Sequence, residues 1–459
     1  MSEIYQTKEQ VLERAQVILR KSLRNIIPSN ELKSIENQIS TYQNKRKGFL
    51  GGLIEWYVFG KKADGLSQAD FNIAGIELKT TPLKKHLKYT YAAKERLVFS
   101  MINYDEIIKE TWINSSFLKK NKTLLLLFYL WAKNQSLLDY EFKFVYLLNL
   151  LEDISEEDIF QIQKDWEYIV AKISRGEAHL LSEGDTYYLG ACTKAANSRV
   201  VRDQPMNRAP AKPRAFSLKQ QYINFLIQTK LLGEKTGLDS IFAKSQKIET
   251  IEDAVRERFA PFINKTDKEI LDNLNSNLGK KAKNYKRLIV NRIFGVNSKN
   301  IEELEKANIT LRVVTLEYTG TLRESISFPA FDYKDLVSQI WSEEEAMADF
   351  HLQLETKKFL FVVFQKQKNN QDIILRKTVF WNFPMQDINK AERVWQNAIN
   401  SINNSEYDKL PKIKDSYVAH VRPHGKNAKD TIETPQKTQE IKRCFWLNAK
   451  YIQSALEGR

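Results

Sequence analysis

The second half of this chain repeats the first at low identity, so any architecture open to one half must also be open to the other. LIEWYVFG at 53–60 returns as LIVNRIFG at 288–295, an offset of 235 residues, and TLLLLFY at 123–129 returns as FLFVVFQ at 359–365, an offset of 236. The second pair reads as short continuous apolar strands, the pattern of a strand covered on both faces. Trp166 in KDWEYIVAKI corresponds to Trp395 in ERVWQNAINSI, each among apolar residues at helical spacing. DTYYLGACTKAANSR at 185–199 pairs with DSYVAHVRPHGKNAK at 415–429, an alternating strand running into a basic loop, and AFSLKQQYINFLI from Ala215 pairs with CFWLNAKYIQSAL from Cys444. The offsets stay between 229 and 236 and the order is kept; chance explains one such pair but not all of them together. Strands interleaved with helices predict an α/β (α+β) fold in two tandem domains, 1–230 and 250–459, each with a central mixed sheet flanked by helices. A polar linker over 231–249 joins them.

The chain's 459 residues suffice for two such domains. Its 71 Lys and Arg against 57 Asp and Glu leave a formal charge of +14, which suits a polyanion: nucleic acid or an anionic membrane surface. The longest apolar run, 124–131, is far short of the roughly twenty residues a spanning helix needs. No Lys/Arg-rich amphipathic helix stands out either. DNA or RNA is therefore the favoured partner, and no membrane. Two cysteines, Cys192 and Cys444, are too few for a disulfide framework, and the polar start has no apolar signal region, so a cytoplasmic location is expected.

The chemistry concentrates in KGFLGGLIEWYVFGKKADGLSQADFNIAGIELKTTPL, residues 47–83. In Ile76-Glu77-Leu78-Lys79, alternation sends Ile76 and Leu78 to one face and Glu77 with Lys79 to the other. Asp70 precedes this strand across a turn-like segment containing Gly75, so an antiparallel return brings its carboxylate beside Glu77. Two carboxylates on neighbouring strands suit a hard divalent cation such as Mg²⁺. The ion polarises a phosphate and acidifies bound water, while Lys79 orients that water or offsets charge on the phosphorane. Glu55, on an amphipathic helix entered through Gly51-Gly52, is a candidate third carboxylate. Against this, Glu-x-Lys is common in a chain that is 28% charged and usually marks a solvated face. Asp70, the strand pattern and the second copy add weight. At the ungapped offset of 235, Glu55 becomes Val290, Asp70 Glu305, Glu77 Arg312 and Lys79 Val314, so the second copy keeps a strand and loses the site. The histidines show no zinc spacing, and no P-loop or nucleophile elbow is present.

KGFLGGLIEWYVFG, then Asp70, then GIELKTTPL resemble the MutH mismatch-repair nicking endonuclease and the Sau-type GATC-specific restriction endonucleases of the PD-(D/E)XK superfamily, over roughly residues 47–228. The resemblance implies a restriction-endonuclease-like fold, Glu55, Asp70 and Glu77 as the carboxylates around Mg²⁺, and Lys79 as the catalytic lysine. A further family lysine falls in the cluster Lys119, Lys120, Lys122 and is assigned to Lys119. The family's R-P-K-A-A-N-A-K loop is here Cys192 to Arg199, which keeps Lys194 and Asn197, ends in Arg199, and lacks the Arg-Pro start. The second copy has Arg422-Pro423-His424-Gly425-Lys426-Asn427-Ala428-Lys429. Such Lys, Arg and Asn side chains offer contacts to guanine, adenine or phosphate; without the resemblance both loops read as basic surface turns. Ser217 stands where the family often has tyrosine, near Lys219, in a segment similar to its G-F-Y-L-K-K-N-F. DNA-binding candidates are thus Lys194, Asn197, Arg199, Ser217 and Lys219 in the first copy, and Arg422, His424, Lys426, Asn427 and Lys429 in the second.

The two-domain members of this family imply the overall expectation: a type II, type IIE restriction endonuclease cutting double-stranded DNA at a short palindrome, GATC. A degenerate second domain then binds a second site as allosteric effector. One intact site per chain implies a transient homodimer or a DNA loop. The alternatives are a strand-nicking repair endonuclease and a catalytically silent DNA-binding protein.

Overall fold

The computed structural model describes residues 5–42, 48–62, 68–86, 90–195, 199–242, 247–280, 282, 284–297, 300–341, 347–368 and 372–458. The chain divides into two compact units, 1–171 with 215–237, and 172–214 with 238–459. Both are mixed α/β.

In the first unit, helix α1 (Phe49–Tyr57) leads to strand β1 (Ile76–Lys85), helix α2 (Ser116–Asn121), strand β2 (Thr123–Leu130), strand β3 (Glu141–Asn149) and helix α3 (Glu156–Ser174). α1 begins after Gly48 and is followed by Gly60, both in the left-handed region at φ 87° and 66°. Such backbone is open to glycine at little cost and stops a helix cleanly. β1 and β2 run parallel, with Ile76 opposite Thr123, Glu77 opposite Leu124 and Lys79 opposite Leu126. β3 returns antiparallel to β2, with a register shift between Phe128 and Tyr129, and the short strand Tyr91–Ala93 closes the other edge. Parallel pairing requires the long crossover that carries α2.

One sheet face makes the core: Ile76 and Leu78 from β1 and Leu125 and Leu127 from β2 pack with Leu53, Ile54 and Val58 from the α1 segment and with Phe142. The other face carries Glu77 and Lys79. An aromatic cluster holds α2 there, with Phe117 edge-on to Phe216 at 5.2 Å and stacked on Trp112, which in turn meets Trp166 of α3. Strand Leu97–Met101 pairs antiparallel with Arg214–Leu218.

The second unit repeats this plan. Helix α4 (Tyr285–Phe294) ends at Gly295, φ 71°, the counterpart of Gly60. Strand β4 (Ile309–Leu316), helix α5 (Asp349–Thr356), strands β5 (Lys358–Lys366) and β6 (Ile373–Asn382), and helix α6 (Ile388–Asn403) follow. β5 lies between β4, to which it is parallel, and antiparallel β6. Trp395 of α6 is buried in this unit's core, as Trp166 is buried on α3.

The pairing also supplies an internal ruler. β2 starts its parallel ladder at Thr123 and breaks register after Phe128; β5 starts at Lys358 and breaks after Val363, each 235 residues on. Their parallel partners begin at Ile76 and Ile309, which are 233 apart. Glu77 therefore corresponds to Thr310, and Lys79 to Arg312. This corrects the ungapped correspondence of Glu77 with Arg312 and Lys79 with Val314. The second copy is two residues shorter between its helix and its strand, and recovers them before the next strand.

Both cysteines are buried as free thiols. Among the described residues no helix is long and apolar enough to cross a membrane.

Candidate active site

A tight hairpin builds the site. Phe71 and Ile76 exchange backbone hydrogen bonds at 2.9 and 3.1 Å, and Gly75 turns the chain at φ 66°. This return sets Asp70 beside Glu77: the Asp70 N–H donates to Glu77 Oε2 at 3.2 Å, and Asp70 Oδ2 accepts the Leu78 N–H at 2.9 Å. The Lys61 ammonium donates to the Asp70 carbonyl and fixes the far side of the turn.

Glu77 is 3% exposed. Its Oε1 accepts from Lys79 Nζ at 2.7 Å, and Lys120 Nζ stands 3.7 Å from the same oxygen. Burial pushes the Glu77 carboxyl above its ordinary range, with the Asp70 charge adding to the rise, while Lys79 and Lys120 oppose it. Burial disfavours the anion more than the two cations restore it.

Asp70, Glu77 and Lys79 meet at this cluster. Glu55, half-buried on α1, does not complete a third carboxylate: among the described residues no group of three or more His, Cys, Asp or Glu side chains is placed to hold a metal ion. Lys119 lies exposed on α2, and its neighbour Lys120 is the lysine that reaches Glu77. Consecutive helical residues point about 100° apart, so only one can face β1. Ser115 caps the helix through the Leu118 N–H and thereby sets which one. Lys61 was missed altogether; its signal was the Lys61-Lys62 pair directly after the Gly60 helix stop.

The DNA-contact candidates also separate. Lys194 is half-buried and Arg199 exposed, while Asn197 lies outside the described residues. Ser217 and Lys219 are not surface groups: they are 0% and 1% exposed, and the Ser217 hydroxyl is buried without a hydrogen-bond partner among the described residues. The strand that holds Ser217 is covered on both faces. In the second copy Arg422, His424, Lys426, Asn427 and Lys429 are all exposed. The Arg422 guanidinium lies 4.5 Å over the Trp446 ring, a cation–π contact that holds the guanidinium against the ring face.

One Asp70 oxygen, Oδ1, takes no hydrogen bond among the described residues, and the neighbouring Glu77 carboxylate is destabilised by burial and by Asp70. A hard divalent cation relieves both conditions at once. An Asp–Glu pair with an adjacent lysine, carried on a mixed sheet, is a side-chain set suited to phosphodiester cleavage with a divalent cation.

The comparisons place it more closely. The family model described as DNA mismatch repair enzyme MutH matches residues 59–165, the span that holds Asp70, Glu77, Lys79 and Lys120. The chain is 32% identical to the type II restriction enzyme Sau3AI of Staphylococcus aureus, over 99% of both chains. It is 28% identical to the DNA mismatch repair protein MutH of Vibrio vulnificus (strain YJ016), over 51% of this chain and 100% of that one. The MutH protein of Shigella flexneri serotype 5b (strain 8401) is 26% identical over 50% of this chain and 94% of its own. The chain belongs to the MutH and Sau3AI family of site-specific DNA endonucleases.

Proposed function

We propose that this protein is a type II restriction endonuclease that hydrolyses both strands of double-stranded DNA at a short palindrome, GATC, with Mg²⁺ held by Asp70 and Glu77. The observation that carries this reading is full-length similarity to a restriction enzyme, combined with an acid–lysine cluster that, among the described residues, the first half holds and the second half does not repeat. Asp70 and Glu77 supply the oxygens, and Glu55 stands on the adjoining helix as a further acid. When bound, the ion polarises the scissile phosphate and lowers the pKa of coordinated water. Lys79, already hydrogen-bonded to Glu77, orients the attacking water and offsets charge on the pentavalent phosphorus; Lys120 adds a second cation at the same edge.

Residues 1–230 form the cutting domain on this reading, and 250–459 a non-cutting domain that binds a second recognition site and activates the first, the type IIE arrangement. Two strands need two cutting sites, supplied by a transient dimer or a looped DNA. Cationic loops such as 422–429 give most of the affinity through phosphates, so binding weakens steeply with salt.

Incubation of a supercoiled plasmid with Mg²⁺ tests the proposal. Linear fragments ending at GATC support it. Open circles instead indicate a nicking enzyme, and a gel shift without cutting indicates a silent DNA binder; either result overturns it. Addition of a short uncleavable GATC duplex should speed cutting of a single-site plasmid, and no effect removes the effector role.

A further inference from the structure

Lys61 joins the helix that carries Glu55 to the hairpin that carries Asp70. Its backbone N–H donates to the Glu55 carbonyl at 2.8 Å, anchoring it to α1, while its ammonium donates to the Asp70 carbonyl and lies 5.9 Å from the centre of the Phe71 ring. Asp70 is thereby gripped at three points: its N–H by Glu77, its Oδ2 by the Leu78 N–H, and its carbonyl by Lys61. The first two grips lie within the hairpin. The third is a charge-assisted bond from a different element, and it fixes the backbone of Asp70 relative to α1.

Comparison with the second unit separates what holds the fold from what serves the site. At the helix offset of 235, Phe59 and Gly60 return as Phe294 and Gly295, and the packing returns with them. Phe59 meets Phe71 edge-on at 4.8 Å, and Phe294 meets Phe259 edge-on at 5.0 Å. The Phe59 carbonyl accepts from the Tyr5 hydroxyl and the Phe294 carbonyl from Arg258 Nη1, each at 3.1 Å. Lys61 returns as Val296, which is 4% exposed and has no side-chain donor for a carbonyl. Aromatic contacts and the helix stop are kept where Glu77 has become Thr310; the lysine is lost with the acid.

We propose that Lys61 is a positioning residue for cutting: it holds the Asp70 main chain to α1, so that the Asp70 and Glu77 carboxylates keep the spacing a divalent cation needs. This rests on the reading of Asp70 and Glu77 as the metal-holding pair. Positioning and simple charge predict opposite signs. An ammonium near the acids repels a divalent cation, so loss of its charge alone tightens metal binding, whereas release of Asp70 weakens it.

Binding of Mn²⁺ to the full chain without DNA is measured by calorimetry, and cutting by single-turnover kinetics with Mg²⁺. Lys61→Val introduces the residue that the second unit carries at this place. It should weaken Mn²⁺ binding about fivefold or more and slow cutting about tenfold or more, with DNA affinity in EDTA kept within about threefold. Lys61→Arg keeps a charged donor and should recover most of both losses. Lys62→Val, at the exposed neighbour, should change neither. Unchanged or tighter Mn²⁺ binding by Lys61→Val overturns the positioning role, and so does a loss confined to DNA affinity, which makes Lys61 a phosphate contact. If circular dichroism shows that valine prevents folding, Lys61→Met takes its place with the same expectations. A wild type that neither binds Mn²⁺ nor cuts defeats the metal-pair reading and the role of Lys61 with it; a wild type that does both, beside an unaltered Lys61→Val, defeats the role of Lys61 alone.

Discussion

Asp70 and Glu77 are locked together through the backbone: the Asp70 N–H donates to Glu77 Oε2, and the Asp70 carboxylate accepts the N–H of Leu78, the next residue along the strand. The relative position of the two acids is therefore a property of the hairpin and survives loss of one charge. Asp70→Asn keeps an oxygen for the Leu78 N–H but removes the anion. Cleavage should fall by roughly 10²–10⁴-fold, the scale of losing one group that acts on the transition state. DNA affinity in EDTA should stay within a few-fold, as a filter-binding titration will show.

Because burial raises the Glu77 carboxyl, pH acts on both stability and activity. A carboxyl whose folded pKa exceeds its unfolded value binds the proton more tightly when folded. Its stabilising contribution is full below the unfolded pKa and is lost as pH rises through the folded one. Glu77→Gln should therefore leave metal-free stability unchanged near pH 4 and change it only as pH climbs past the ordinary glutamate range. Cutting requires the anion, so the acid limb of the rate profile should lie above that range. Lys120→Ala, which removes a cation favouring the anion, should move the limb further up.

Lys119 and Lys120 differ in reach alone. Lys120→Ala should lower the cleavage rate about tenfold or more, whereas Lys119→Ala on the exposed helix surface should change it less than about threefold. Single-turnover kinetics with bound DNA separate this from any change in affinity.

Much of the fold was legible because it rests on apolar periodicity: the helix of the LIEWYVFG segment with its glycine stop, strand 123–129, and the tryptophan helices all survive into both halves. The two-residue slip between Glu77 and its counterpart was not. A shift of two leaves every side chain of a strand on its original face, so alternation cannot detect it; only hydrogen-bond register distinguishes Thr310 from Arg312. The Asp70 hairpin could be read from Gly75 and the strand after it. The choice of Lys120 over Lys119 depends on where the Ser115 cap starts the helix, a matter of one residue. Ser217 and Lys219 have the chemistry of surface contacts, yet they occupy a segment covered by tertiary packing, and residue type carries no record of that.

Arg214 and Glu355, each with 4% side-chain exposure, form an ion pair at 3.3 Å within the second unit, and Arg214 also donates to the Ala191 carbonyl at 2.9 Å. Removing one member leaves the other charge buried and unpaired. Glu355→Ala should cost about 3–5 kcal/mol of that unit's stability, whereas changing both to apolar residues of similar size should cost much less. Denaturant unfolding of the single and double variants measures the difference.

Gly75 turns the hairpin that aligns the acids, at φ 66°, and a Cβ built there meets nothing within 4 Å. The site has room for a side chain but a backbone conformation that disfavours one. Gly75→Ala should therefore destabilise by about 1–2 kcal/mol, the cost of left-handed backbone for an L-residue, without any steric clash. A chain that relaxes this strain by opening the turn also loosens the Phe71–Ile76 exchange that holds Asp70 against Glu77. Gly75→Asn tolerates the same conformation better and should recover most of both stability and cutting rate. If alanine and asparagine behave alike in thermal unfolding and in cleavage, the turn does not set the geometry of the acid pair.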